Sequence, residues 1–197
     1  MENVGAISMS KIKIIGIDPS LRNTGICKGW LDLNTLEWGI EEVELAKTEK
    51  GKVKTVRKSS DDYDRTRILY EAIKEAEKGA EIAFVEMPIG SQSADAMKSY
   101  GACIALIATL DIPVIQVTPT QVKVHATGDK NATKEEMIGW AFKLFPKINW
   151  LQRAGKLTLN NEHLADAVGA VNAGMKDDDF KALIVMLRKM TASFARQ

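Results

Sequence analysis

Three short runs with almost no polar face constrain this chain more than anything else in it. Residues 11–17 end in Ile14-Ile15-Gly16-Ile17, residues 82–85 read Ile82-Ala83-Phe84-Val85, and residues 114–117 form a further short apolar run. Near-continuous apolar character is expected of strands buried on both faces, whereas a half-solvated sheet shows alternation. Helical patterns separate these runs, so the expected architecture is α/β, with a mixed β-sheet and helices on both of its faces.

The order of elements is three strands, helix, strand, helix, strand, helices. Residues 25–33 and 36–45 follow the first strand, joined through Asp32-Leu33-Asn34-Thr35, a natural turn. In the second of them Trp38, Ile40, Val43 and Leu45 alternate with charges, and the phase slips once. Residues 48–62 are polar and charged and read as a long loop or ragged hairpin extension. Residues 63–79 carry Ile68, Leu69, Ala72, Ile73 and Ala76 at helical spacing, with Gly79 as a C-terminal stop. Ser91 or Ser93 caps a helix predicted to run through Leu110. A helix then runs from about Pro119 to Ala126, and another starts at Thr133, where Glu136 completes capping-box spacing. Residues 147–159 read as loop, 161–174 as helix and 177–195 as a terminal helix. The implied organisation is a flexible extension over residues 1–10, one domain over 11–176, and a C-terminal helix over 177–197 that packs on or extends the domain.

At 197 residues the chain is long enough for one well-cored domain and short for two. Apolar content of 45% and charged content of 27% are ordinary for a globular protein. No run approaches the roughly 20 apolar residues of a membrane helix, and the N-terminus lacks the pattern of a secretory signal. Cys27 and Cys103 lack metal-knuckle spacing and read as reduced core thiols. The net charge is only +1, but the charges are segregated. Lys47, Lys50, Lys52, Lys54, Arg57 and Lys58 crowd one segment, and Lys123, Lys130 and Lys134 another. Such clusters suit a phosphate-tracking face, although a solvated basic loop explains the first cluster equally well.

Asp18 closes the first apolar strand, and Glu86 closes the strand after the first helix. A carboxylate at the end of a buried strand carries a desolvation cost unless cations or donors compensate it. His163 and Asp166, three apart on a predicted helix, project from one face, and Glu162 is expected to point elsewhere. If the two strands are neighbours and the helix packs on them, three carboxylates and one imidazole surround a small volume. Hard oxygens select Mg²⁺ or Mn²⁺, and an imidazole is compatible with Mn²⁺ in particular. Each residue alone has a plainer role: turn former, strand-end ion pair, helix-face acid, packing histidine. Their arrival from three separate segments favours the metal reading.

Five stretches then carry a resemblance. They are Ile14-Ile15-Gly16-Ile17-Asp18-Pro19-Ser20-Leu21-Arg22-Asn23-Thr24-Gly25 with Ala83-Phe84-Val85-Glu86, then Ser93-Ala94-Asp95-Ala96-Met97-Lys98-Ser99-Tyr100-Gly101-Ala102, then Pro119-Thr120-Gln121-Val122-Lys123, and His163-Leu164-Ala165-Asp166-Ala167. In this order and spacing the chain resembles the RuvC-type Holliday-junction resolvases of the RNase H-like superfamily, over residues 11 to about 174. The resemblance implies an RNase H-like mixed sheet and a metal-dependent endonuclease. Its substrates would be four-way junctions and other branched DNA, cut by paired nicks that leave 5′-phosphate and 3′-hydroxyl ends.

The same resemblance makes Asp18, Glu86, His163 and Asp166 the metal-binding catalytic set, holding two Mg²⁺ or Mn²⁺ ions with Asp18 shared between them. Lys134 would neutralise the scissile phosphate, with Lys123 nearby. Lys123, Lys130, Lys134, Arg22, Ser91 and Gln92 are the candidates for contact with DNA. The helix over 91–110 matches the family's dimer element, so a homodimer is expected, with no membrane and no nucleotide cofactor. An aromatic wedge that some members carry after the Glu86 position is missing. The basic 48–62 insert and the terminal helix depart from the compact bacterial pattern and suit a phage or mobile-element branch. Such a protein would act in the cytoplasm of a bacterium or phage-infected host, with forks and flaps as further substrates. The competing readings are a non-catalytic branched-DNA-binding module, an RNase H-like nuclease acting on RNA, and an actin-like ATPase suggested by Gly16-Ile17-Asp18-Pro19-Ser20.

Overall fold

A computed structural model describes residues 10–51, 57–90 and 93–194. The first three strands, β1 (Lys11–Asp18), β2 (Asn23–Asp32) and β3 (Trp38–Lys47), form an antiparallel meander. Helix α1 (Lys58–Glu77) then crosses to β4 (Ile82–Glu86), which lies parallel to β1, and α2 (Ala94–Ile107) crosses to β5 (Val114–Val117), parallel to β4. The resulting sheet has the order β3-β2-β1-β4-β5. The remaining elements are α3 (Pro119–Thr127), α4 (Lys134–Leu144), the short hairpin β6 (Gln152–Arg153) and β7 (Lys156–Leu157), α5 (Asn161–Gly174) and α6 (Asp178–Phe194). The mixed α/β sheet expected from the sequence is therefore present, with helices on both faces.

Strand alternation sorts the side chains between two cores. Ile12, Ile14, Ile82, Phe84 and Cys27 join the core beneath α3, α4, α5 and α6, whereas Ile15, Ile17, Ala83, Val85 and Ile26 join that beneath α1 and α2. Carried one step further, the same phase turns Asp18 and Glu86 toward the α5 side. Helix α5 lies very close to the sheet because Gly16 and Gly25 offer no side chain there. A Cβ on Gly25 would strike the His163 carbonyl, and one on Gly16 would strike that of Ala167. Leu164, Ala165, Ala167, Val168, Ala170 and Val171 are consequently sealed from solvent, each large side chain contributing roughly 1.5–3 kcal/mol of transfer free energy. Helix α6 docks through Phe180 and Ile184, with the Phe180 ring 5.5 Å from that of Phe84.

Several expected boundaries move. Helix α1 begins at Lys58, so the end of the predicted 48–62 loop is helical, and residues 52–56 lie outside the described residues. No side chain caps that start, which explains why no local signal marks it. Ser93, not Ser91, caps α2, accepting a hydrogen bond from the Ala96 amide, and α2 ends at Ile107 rather than Leu110. The phase slip in β3 is a register shift at Lys28/Gly29, where Glu41 is left without an opposite residue. The predicted loop over 147–159 contains the β6–β7 hairpin, whose turn residues Ala154 and Gly155 both have positive φ, 50° and 74°. Both cysteines are free and buried, and burial pushes the Cys27 thiol up to about 12. Among the described residues no helix is long and apolar enough to cross a membrane.

Candidate metal centre

The parallel register of β1 and β4 pairs Ile17 with Val85, which sets the next residues, Asp18 and Glu86, side by side at the strand ends. Helix α5 brings the other ligand candidates over them. Its first residue, Asn161, is wholly buried and donates to the carbonyls of Leu151 and Thr158 while accepting from the Leu151 amide. That clamp fixes the start of α5 and hence the positions of Glu162 and His163. The His163 Nδ1 lies 2.8 Å from Asp18 Oδ2. Asp166, one helical turn later, lies within electrostatic reach of Asp18, Glu86 and His163.

Burial and mutual repulsion dominate the electrostatics of this group. Loss of solvent, then the neighbouring charges of Asp18 and Asp166, push the Glu86 carboxyl up to about 9. Loss of solvent, then Asp18, raise Asp166 to about 7. Asp18 is also raised by burial, against the opposing effect of its hydrogen bond to His163. For His163 burial acts downward, yet Asp18, Glu162 and Asp166 together carry it above its ordinary value. Three buried carboxyl groups side by side are only partly compensated by His163 and Lys123, whose opposing effects do not offset burial and mutual repulsion.

The donor set, three carboxylates and one imidazole, fits a hard divalent cation. Among the described residues, however, no three His, Cys, Asp or Glu side chains are placed to hold one ion together. Asp18, Glu86, His163 and Asp166 nonetheless stand within electrostatic reach of one another, with Asp18 engaged by His163. A correction concerns Glu162. Its carboxylate turns toward the group rather than away, with Oε1 3.5 Å from His163 Nε2 and Oε2 2.5 Å from Lys134 Nζ. Adjacent helical positions diverge by about 100°, but at the first turn of α5 the long Glu162 side chain reaches back over the opening. A cation at the head of α4 draws it there.

The basic candidates separate. Lys123 on α3 lies within electrostatic reach of Glu86 and Asp166. Lys134, the first residue of α4, is raised by its contact with Glu162. Lys130 is exposed in the α3–α4 loop, and none of the described contacts ties it to the acidic group. Arg22 lines a different cleft, on the α1–α2 side of the β1–β2 turn. Ser91 and Gln92 lie outside the described residues.

A meander extended by two parallel strands, covered on both faces by helices and carrying acids at the ends of its two central strands, defines an RNase H-like protein. No protein-family model matches the chain. It is 33% identical over 132 residues to the crossover junction endodeoxyribonuclease RuvC of Salinibacter ruber, an alignment covering 63% of this chain and 67% of that one. It is 26% identical over 181 residues to the enzyme of the same name from Albidiferax ferrireducens, covering 83% and 94%. Among solved structures, Thermus thermophilus RuvC in complex with a Holliday junction substrate superposes with a TM-score of 0.58 at 19% identity, over 82% of this chain and 92% of that one. A second structure of the same bacterium's RuvC gives 0.54 at 19% identity over the same shares. The chain belongs to the RuvC family of crossover junction endodeoxyribonucleases. That membership displaces the actin-like ATPase alternative.

Proposed function

We propose that this protein is a divalent-metal-dependent endonuclease that resolves four-way DNA junctions by paired nicks leaving 5′-phosphate and 3′-hydroxyl ends, with forks and flaps as further substrates. The observation that carries the reading is the group Asp18, Glu86 and Asp166, whose ionisation is suppressed by burial and mutual repulsion. A structural protein gains nothing from acids kept in that state, and removing them is generally stabilising. The endonuclease name carried by the curated relatives supports the same chemistry.

Asp18, Glu86, His163 and Asp166 would hold Mg²⁺ or Mn²⁺, two ions in all. Bound there, such ions acidify water and offset charge at phosphorus. The protein's own groups do the rest. Glu86 and Asp166 give up protons to become ligands, so occupancy depends on pH. His163 either keeps its Nδ1 on Asp18 or turns to the cation, and Asn161 fixes the helix from which it acts. Lys134, tethered by Glu162 at the opening, supplies an ammonium to the scissile phosphate. Lys123 lowers the cost of gathering the acids from behind, Lys130 contacts the strands further out and Arg22 contacts them on the α1–α2 side, with Ser91 and Gln92 added by the resemblance.

Two symmetric nicks need two symmetric sites, which favours a homodimer. Helix α2 supports this: Cys103, Leu106 and Ile107 are buried on one side while Met97 and Ile104 are 47% and 45% exposed on the other.

The test is cleavage of end-labelled four-way junctions, forks, flaps and linear duplex with Mg²⁺, Mn²⁺ or EDTA, followed by ligation of the products. Paired, metal-requiring nicks that a ligase reseals without further treatment are expected on four-way junctions. Binding without cutting under any metal would contradict the nuclease and favour the non-catalytic module. Preferential cutting of RNA would move the substrate.

A further inference from the structure

A second charged site lies on the opposite side of the β1–β2 turn from the acidic group. A cleft of about 320 Å³ is walled by that turn, by α1 and by α2. Five cations face it, Arg22, Lys50, Lys58, Arg65 and Lys98, against two carboxylates, Asp62 and Asp95. Positive charge therefore exceeds negative by three. The cleft lies close to the candidate metal centre, since its wall includes Pro19 and Ser20, the residues directly after Asp18. Another wall residue, Cys103, feels the Asp18 charge.

The cleft is built rather than accidental. Its floor is Arg65, whose side chain is 8% exposed and whose guanidinium donates to the Thr48 hydroxyl and the Leu21 carbonyl. Thr48 in turn donates to the Leu21 carbonyl, so the buried arginine locks the end of β3 to the β1–β2 turn. Among the described residues its carboxylate partner, Asp62, stands 3.6 Å away and is shared with Lys98. A buried cation with so partial a counter-charge calls for an anion nearby. The rims are braced as well, by Lys58 to Asp95 at 2.6 Å and by Lys98 to Asp62, both linking α1 to α2. Among the described residues Arg22 and Lys50 form no ion pair, and both are exposed.

An adjoining recess of about 410 Å³ is lined by Arg22, Glu49, Lys50 and Arg65 and extends the same track. Two recesses sharing three cations suit successive phosphates on a chain better than one free anion. Resting on the nuclease reading above, we infer that this cleft binds the sugar-phosphate backbone of the substrate strand beside the phosphate to be cut, with Arg22 and Lys50 as its two free phosphate contacts. Arg65 acts as a positioning residue that holds the track rigid.

Salt dependence of binding tests this directly, because the slope of log K against log [salt] scales with the number of phosphates that the protein neutralises. The probes are a fluorescent four-way junction and a fluorescent single strand, titrated in EDTA between roughly 50 and 200 mM salt, the range over which such differences are resolved. Wild type is compared with the double variant R22A/K50A and with K181A, a control that removes a lysine paired with Asp178 on α6. The expected result is a slope shallower by roughly 1.4–1.8 in R22A/K50A, with at least a fivefold weaker affinity at the lowest salt and no change in K181A. Both altered side chains are exposed, so folding is not at issue. Wild-type binding with R22A/K50A indistinguishable from K181A would overturn the cleft while leaving the nuclease reading intact. Failure of wild type to bind branched DNA at all would overturn both. Competition by millimolar inorganic phosphate as effective as that by the single strand would overturn the backbone assignment in favour of a free-anion site.

Discussion

The protein keeps two groups of acids in opposite conditions. Asp62, Asp95, Glu75 and Asp111 on or near α1 and α2 each face a lysine or arginine across an ion pair. For Asp95 and Glu75 the partner lysine holds the carboxyl below its usual range. Asp18, Glu86 and Asp166, on the other side of the sheet, are buried beside one another and pushed upward. Apart from Asp62, which is half-sheltered beside Arg65, the first group is paired where water already screens it, so it contributes little. In the second, Asp18 has His163 as a close partner, and Glu86 and Asp166 face mainly one another and Asp18. That inversion locates the functional site better than acid content does, because the chain has 26 acidic residues and, among the described residues, these three are the carboxyls that burial pushes upward.

The contrast can be broken from its strongest point downward. Asp18→Asn should lower junction cleavage by at least about 10³-fold, the scale of removing a metal ligand or an equivalent catalytic electrostatic group. Junction binding should be unchanged or tighter, since a carboxylate that repels phosphate is gone. A gel assay that separates binding from cutting reads both, and cutting at the wild-type rate would remove Asp18 from the site.

Next in size is the seat of α5. Gly25→Ala places a methyl against the His163 carbonyl, where backbone must move. A loss of roughly 2–4 kcal/mol in denaturant unfolding is expected, together with reduced cleavage as His163 shifts. An alanine tolerated without loss would mean that α5 is not held against β2 as described.

The third prediction concerns pH. Glu86 and Asp166 have folded-state values raised above their unfolded ones, to about 9 and about 7. Groups raised in this way favour the folded state at low pH, and that contribution is lost as pH rises through the folded values. Metal-free protein should therefore lose stability between about pH 5 and pH 9, and Mg²⁺ or Mn²⁺ should restore part of it. Glu86→Gln should flatten the profile and raise Tm at pH 8 by several degrees, read by calorimetry in EDTA. A steeper profile in the variant would contradict the sign.

The smallest effect belongs to the paired acids. Lys58→Ala breaks the exposed contact with Asp95 and should move Tm by no more than about a degree. A large drop would mean that the two groups differ less in energy than their geometry implies.

Much of this arrangement is legible in the sequence, and the reasons are local. Apolar strand runs announce the sheet, and Asp18 and Glu86 declare themselves by ending two of those runs. The capping box at Thr133 and Glu136 marks α4, and it forms as expected. The side toward which the strand-end acids point is also available, since counting by twos from Ile14 and Phe84 leads to the α5 core, although no local pattern names that core in advance. Glu162 departs from expectation because helical geometry describes directions of Cα–Cβ bonds, not the reach of a long side chain toward a cation. Asn161 carries no visible signal, since its partners lie 3 and 10 residues away in a segment without regular pattern. The β6–β7 hairpin escapes sequence reading because Ala154 occupies a positive-φ turn position that Asn, Asp or Gly ordinarily marks. The cleft at Arg65 depends on three elements meeting, which only the folded chain brings about.

The measurement closest to the central claim is calorimetric titration of Mn²⁺ into wild type and Asp18→Asn at pH 7.5, repeated in buffers of different ionisation enthalpy. With Glu86 near 9 and Asp166 near 7 in the metal-free state, binding to wild type should release about one proton or more, and both binding and release should fall sharply in the variant. Mn²⁺ binding of equal strength in the two proteins, or binding without proton release, would contradict the assignment of the buried acids as the metal site.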